Sequence, residues 1–93
     1  TAIGYQSLSA NTTGSDNTAI GAFSMLSNTT GISNVAMGQG SLESNTTANQ
    51  NVAIGVVALQ SNTTGSPNVA VGYQALNANT TRIASFRCQY YRS

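Results

Sequence analysis

Asn51-Val52-Ala53-Ile54-Gly55 decides how this chain is read, because the same five positions return along its length. The copies are Asn17-Thr18-Ala19-Ile20-Gly21, Asn34-Val35-Ala36-Met37-Gly38 and Asn68-Val69-Ala70-Val71-Gly72, and the chain opens inside another, Thr1-Ala2-Ile3-Gly4. The glycines Gly4, Gly21, Gly38, Gly55 and Gly72 therefore recur every 17 residues without an insertion. A second marker, Asn-Thr-Thr, keeps the same step at Asn11, Asn28, Asn45, Asn62 and Asn79. Self-similarity at a fixed period is the signature of a repeat architecture, in which each unit packs only against its neighbours. An opening in mid-repeat is what a piece of a longer array would show.

Charge is nearly absent from the 93 residues: Asp16, Glu43, Arg82, Arg87 and Arg92 are the whole inventory. All the arginines fall near the C-terminus, so the repeats carry no basic stripe for phosphates and no nucleic-acid partner is expected. Regularly placed Val, Ile and Leu argue against disorder. No apolar run approaches the length that spans a bilayer, so no membrane insertion is expected. No signal peptide is visible. A single cysteine, Cys88, cannot build an internal disulfide framework.

Within one repeat, Val52 and Ile54 alternate with Ala53 and Gly55, which is the two-residue period of a strand. The bulky face is expected to fill a core, with Ile3, Ile20, Met37, Ile54 and Val71 stacked as one ladder. The tiny face, Gly4, Gly21, Gly38, Gly55 and Gly72, is expected to let another backbone approach closely. A second apolar marker follows in each copy at Leu8, Met25, Leu42, Leu59 and Leu76, and is assigned to the core as well. A helix over Val52–Leu59 fits the spacing of Ile54, Ala58 and Leu59. A 17-residue unit dense in Asn, Thr, Ser and Gly, however, leaves no room for a stable helix and its caps. Two short strands per repeat are expected instead, with Asn-Thr-Thr-Gly as one turn and the opening Asn at the other corner.

Identical units stacked at the strand spacing of ~4.8 Å place equal residues above one another, Asn on Asn and Ile on Ile. Each coil offers only about two large aliphatic groups, at ~1.5–3 kcal/mol each. Ordering its backbone costs ~1–2 kcal/mol per residue. Association through the small Ala/Gly face or the Leu row is the expected remedy.

These motifs carry a resemblance. The Asn-Val-Ala-Ile-Gly unit, followed by Ala-Leu and a small-residue turn, resembles the head repeats of trimeric autotransporter adhesins. The longer unit from Asn17-Thr18-Ala19-Ile20-Gly21 to Asn28-Thr29-Thr30-Gly31 is similar to repeats of bacteriophage tail-fibre-like proteins. The likeness covers residues 1–84. It implies an all-β solenoid, a left-handed parallel β-roll of five 17-residue coils packed as a homotrimeric fibre. Adhesin heads run a shorter repeat, so the extra residues here are expected to enlarge the Asn-Thr-Thr turn. Residues 85–93 break the pattern, with Arg87 and Gln89 falling where the repeats reserve the smallest side chains. They are read as a cap, the start of another module, or a sequence artefact.

Chemistry finds little purchase. There is no His or Lys, and Asp16 and Glu43 occupy different positions in the repeat, so no acid–base pair is expected. Cys88 has no histidine to activate it, and the calcium-binding repeat pattern is missing. No catalytic residues, metal or cofactor are expected. Each Asn-Thr-Thr is formally an N-glycosylation sequon, but a turn with stacked Asn or Thr explains its strict period more simply. Thr rows suggest ice binding, yet neighbours such as Thr63 and Thr64 point to opposite faces of an extended chain. Tyr5, Ala22, Gln39, Val56 and Tyr73 share one variable, exposed position where an aromatic could touch a sugar or protein.

The expectation is a non-enzymatic extracellular fibre element at a cell surface or on a virion, the shaft or head of an adhesin or phage tail fibre. Its partner is expected to be itself, as a homotrimer, with a host-surface glycan or protein as a further contact. The alternative is a self-assembling fibril of end-to-end stacked subunits, glycan-coated in one version. An ice-binding or lectin-like solenoid comes third.

Overall fold

The computed structural model describes residues 1–76 and, as a strand, residues 85–88; the Asn79 ladder position and the remainder of the C-terminal segment lie outside the described residues. Among the described residues the chain is all-β, without a helix. Six strands form one sheet in sequence order: β1 (Ala2–Ile3), β2 (Thr18–Ile20), β3 (Val35–Met37), β4 (Val52–Ile54), β5 (Asn68–Val71) and β6 (Ser85–Cys88). Every neighbouring pair is parallel, and the register steps by one sequence period: Ala19 lies beside Ala36, Ala36 beside Ala53 and Ala53 beside Ala70. A strand together with the segment leading to the next is called a rung below.

The backbone register continues into β6, where Val69 pairs with Phe86, Ala70 with Arg87 and Val71 with Cys88. The break in composition after residue 84 therefore does not break the sheet at residues 85–88.

Each rung contains one strand, not two. Beyond the glycine, the chain enters consecutive β-turns: the amide of Ser24 donates to Gly21, that of Leu26 to Phe23 and that of Asn28 to Met25. Both of the first two turns hold their third residue at positive φ, 62° at Phe23 and 52° at Met25, which is the type II geometry. The same positions are left-handed in every described rung, at Gln6, Gly40, Val57 and Gln74, and at Leu8, Leu42, Leu59 and Leu76. A left-handed non-glycine residue costs roughly 1–2 kcal/mol, so sequence propensity gives no warning of this run. Stacking holds it. Phe23 donates back to Tyr5 at 2.9 Å while Met25 donates forward to Ser41 at 2.9 Å, so alternate amides clamp the turn wall to the rung on either side.

The core lies between the sheet and the turn wall. Met25, Leu42 and Leu59 project from the turn wall and are completely buried, with Leu8 and Leu76 partly buried against them. They meet Ala19, Ala36, Ala53 and Ala70 of the sheet, also completely buried. The expected ladder of Ile3, Ile20, Met37, Ile54 and Val71 is not part of this core. Those residues point out of the coil, with Ile54 37% exposed and Ile3 58%. Volume is the reason. A full-sized aliphatic row already comes from the turn wall, so only a methyl fits opposite, and the pleat then sends both neighbours of each Ala outward.

Candidate functional site

Two asparagine columns run along the interior and fix the spacing of the rungs. In the Asn-Thr-Thr column, Asn28 Nδ2 donates to Asn11 Oδ1 at 2.8 Å, Asn45 Nδ2 to Asn28 Oδ1 at 2.9 Å and Asn62 Nδ2 to Asn45 Oδ1 at 3.1 Å. The second proton of each amide closes its own turn, on the carbonyls of Gly31, Ala48 and Gly65 respectively. The second column was not singled out from the sequence as a site. There Asn17 Oδ1 accepts the backbone N–H of Asn34 at 2.9 Å, Asn34 Oδ1 that of Asn51 at 2.9 Å and Asn51 Oδ1 that of Asn68 at 2.8 Å. Its amides reach the same carbonyls, Asn17 to Gly31 at 2.7 Å and Asn34 to Ala48 at 2.9 Å. One carbonyl per rung thus ties the two columns together, and the buried amides are paired as a dry interior demands. The signal that could have found this column was constancy: Asn17, Asn34, Asn51 and Asn68 never vary while the aliphatic positions do.

The glycan reading of Asn11, Asn28, Asn45, Asn62 and Asn79 fails at the described inner positions. Asn28, Asn45 and Asn62 are completely buried, and the Nδ2 atom a glycan would need spends its protons inside the stack. The Asn-Thr-Thr threonines lie in a bend and not on the extended chain that the alternation argument assumed. Thr12 and Thr29 turn their hydroxyls onto the next rung's carbonyl, at 3.1 and 3.2 Å, while Thr13, Thr30, Thr47 and Thr64, like Thr12 itself, are exposed. The carbonyl of Thr29 also gathers the N–H groups of Thr12, Thr13 and Gly14, at 3.0, 3.2 and 3.1 Å.

The glycine column closes on the neighbouring rung. A Cβ on Gly38 would stand 2.6 Å from the carbonyl carbon of Gly55, and one on Gly55 would stand 2.5 Å from the carbonyl oxygen of Gly72. The backbone that comes close is the next rung of the same chain, at a corner where φ is +122° to +132°.

Among the described residues, the outer face of the sheet is apolar. Thr18, Val35, Val52 and Val69 form one column and Ile3, Ile20, Met37, Ile54 and Val71 the next, all half-buried or exposed and none charged. Past the glycine corner stands the variable column, where Tyr5, Val56 and Tyr73 are exposed and Tyr5 packs edge-on against Phe23 with ring centres 5.7 Å apart. Among the described residues, no three His, Cys, Asp or Glu side chains gather where an ion could sit, and no helix is long and apolar enough to cross a membrane. Glu43 accepts a hydrogen bond from Gln60 at 2.9 Å, in the next rung. Comparison with protein-family models, curated proteins and solved structures finds no match to this chain.

Proposed function

We propose that the chain is a structural element, a β-solenoid shaft whose repeats set the length of an extracellular fibre of the adhesin or phage tail-fibre kind. The observation that carries this reading is the sameness of the bonding from rung to rung. The Asn columns, the Gly corner and the Ala/Leu core repeat in the inner described rungs, so adding such a rung adds length without adding a new kind of contact. The most variable column, Tyr5, Ala22, Gln39, Val56 and Tyr73, is exposed or half-buried and follows no pattern. A binding head would be expected to place convergent polar groups at such positions, so the shaft is the better reading.

Removal of residues 34–50 tests it. The chain rejoins at Asn51 in register and should fold one strand spacing shorter, about 4.8 Å, with attachment through any distal tip unchanged. A folded deletion protein that no longer supports attachment would make the repeats themselves the binding surface.

A further inference from the structure

We infer that the second threonine of each Asn-Thr-Thr bend, at Thr13, Thr30, Thr47 and Thr64, is a modification site whose hydroxyl carries an O-linked sugar. The inference goes beyond the shaft reading, which requires no modification.

Constancy is the first observation. Through residue 84, the columns of Asn17, Ala19, Gly21, Asn28, Thr29 and Thr30 hold one residue type in every copy. The copies have diverged close by: Ser15, Ile32, Asn49 and Ser66 share one position, and Asp16, Ser33, Gln50 and Pro67 the next. The stack accounts for the buried Asn amides, the core methyl and the closed Gly corner. It also accounts for the first threonine, whose hydroxyl bonds the next rung at Thr12 and Thr29. It does not account for the second. Thr13, Thr30, Thr47 and Thr64 are exposed, and their hydroxyls make no hydrogen bond within the chain. A sequon would also keep this threonine, two places after Asn, but the Nδ2 protons of Asn45 and Asn62 are held inside the stack.

Shape and charge select the chemical class. The row stands on an outside bend, where Ile32, Ser33, Asn49 and Gln50 beyond it are exposed as well. A small ligand is ordinarily held in a concave site, whereas a protruding bend with a free hydroxyl fits into the active site of another enzyme. Phosphate would set strongly negative groups ~4.8 Å apart on successive rungs, where they repel. A sugar adds polar bulk without charge, to a chain whose residues 1–81 hold only Asp16 and Glu43 as charged side chains. With a nucleotide-sugar donor, the transfer balances. Thr Oγ1 forms a bond to the anomeric carbon, and the bond from that carbon to the diphosphate breaks with its electron pair. The hydroxyl proton passes to a base of the transferring enzyme.

The experiment uses the chain recovered from the cells that make it. Fragmentation mass spectrometry that keeps side-chain groups attached should find whole-sugar mass steps on Thr13, Thr30, Thr47 and Thr64. Mild alkali should remove those steps by β-elimination. Thr47→Val keeps a branched side chain, so its circular dichroism should match the parent while the step at residue 47 alone is lost. Retention of the step at Thr30 in the same variant shows that the bend is still formed and still recognised. Bare hydroxyls at all four positions, or phosphate in place of sugar, would overturn the inference. Sugar confined to the asparagines, or to Thr12 and Thr29, would overturn it too. The shaft reading stands or falls separately, since a sugar-free chain would still shorten by one rung when residues 34–50 are removed.

Discussion

Asn45 shows how much a single buried amide can hold. It donates to Asn28 Oδ1 and to the Ala48 carbonyl, and it accepts from Asn62, so three rungs meet in one side chain. Asn45→Ala takes the donor from Asn28 Oδ1 and an acceptor from Asn62 Nδ2. At about 1–3 kcal/mol for each buried polar group left without its partner, the urea midpoint should fall by the equivalent of at least ~2 kcal/mol. Thr47→Ala, two positions on and exposed, should stay within about 0.5 kcal/mol of the parent. Equal effects would remove the Asn column from the account. Gly55→Ala is the second test at this scale. Its new methyl would lie 2.5 Å from the Gly72 oxygen at a φ of +132°, so the folded circular dichroism signal should be lost. A folded Gly55→Ala protein would show that the corner has room the geometry denies it. The sequence announced Asn45 and Gly55 by their recurrence. It did not announce that the amide is buried, since Asn in a turn is ordinarily a surface residue.

The strand and the turn wall were legible to different degrees. Alternation along Val52-Ala53-Ile54 told which residues share a face, and the fixed step told which strands pair and in what register. It could not tell which face is inward, because that depends on what stands across the core. Leu42 and Leu59 fill the space from the turn wall, so Ala53 goes in and Ile54 goes out. The run of turns was illegible for another reason: Phe23, Val57 and Leu59 are poor left-handed residues, held there by bonds to neighbouring rungs that no local pattern encodes. A paired substitution checks the face assignment. Ala53→Leu should overpack the core and lower stability by about 1–3 kcal/mol or more, whereas Ile54→Thr keeps a β-branched side chain on the outside and should leave the coil itself folded. Thermal unfolding of the two variants, followed by circular dichroism, separates the assignments. A stable Ala53→Leu beside an unfolded Ile54→Thr would restore the Ile column to the core.

The molecule as a whole is the part the sequence displayed most openly, because a fixed period of 17 points to like units packed against one another. What it hid was which faces the coil uses for itself, the Ala methyls and the Leu row going inside and the Ile column outside. The central claim is that one sequence period is one rung of a parallel stack, and a distance measures it directly. Spin labels at Ile20→Cys and Val71→Cys, in a Cys88→Ser background diluted with unlabelled chains, sit three strand spacings apart, about 14 Å. Removal of residues 34–50 should bring the labels closer by about 4.8 Å with the rest of the spectrum unchanged. A separation that stays the same, or one that spreads into a broad distribution, would contradict the stack.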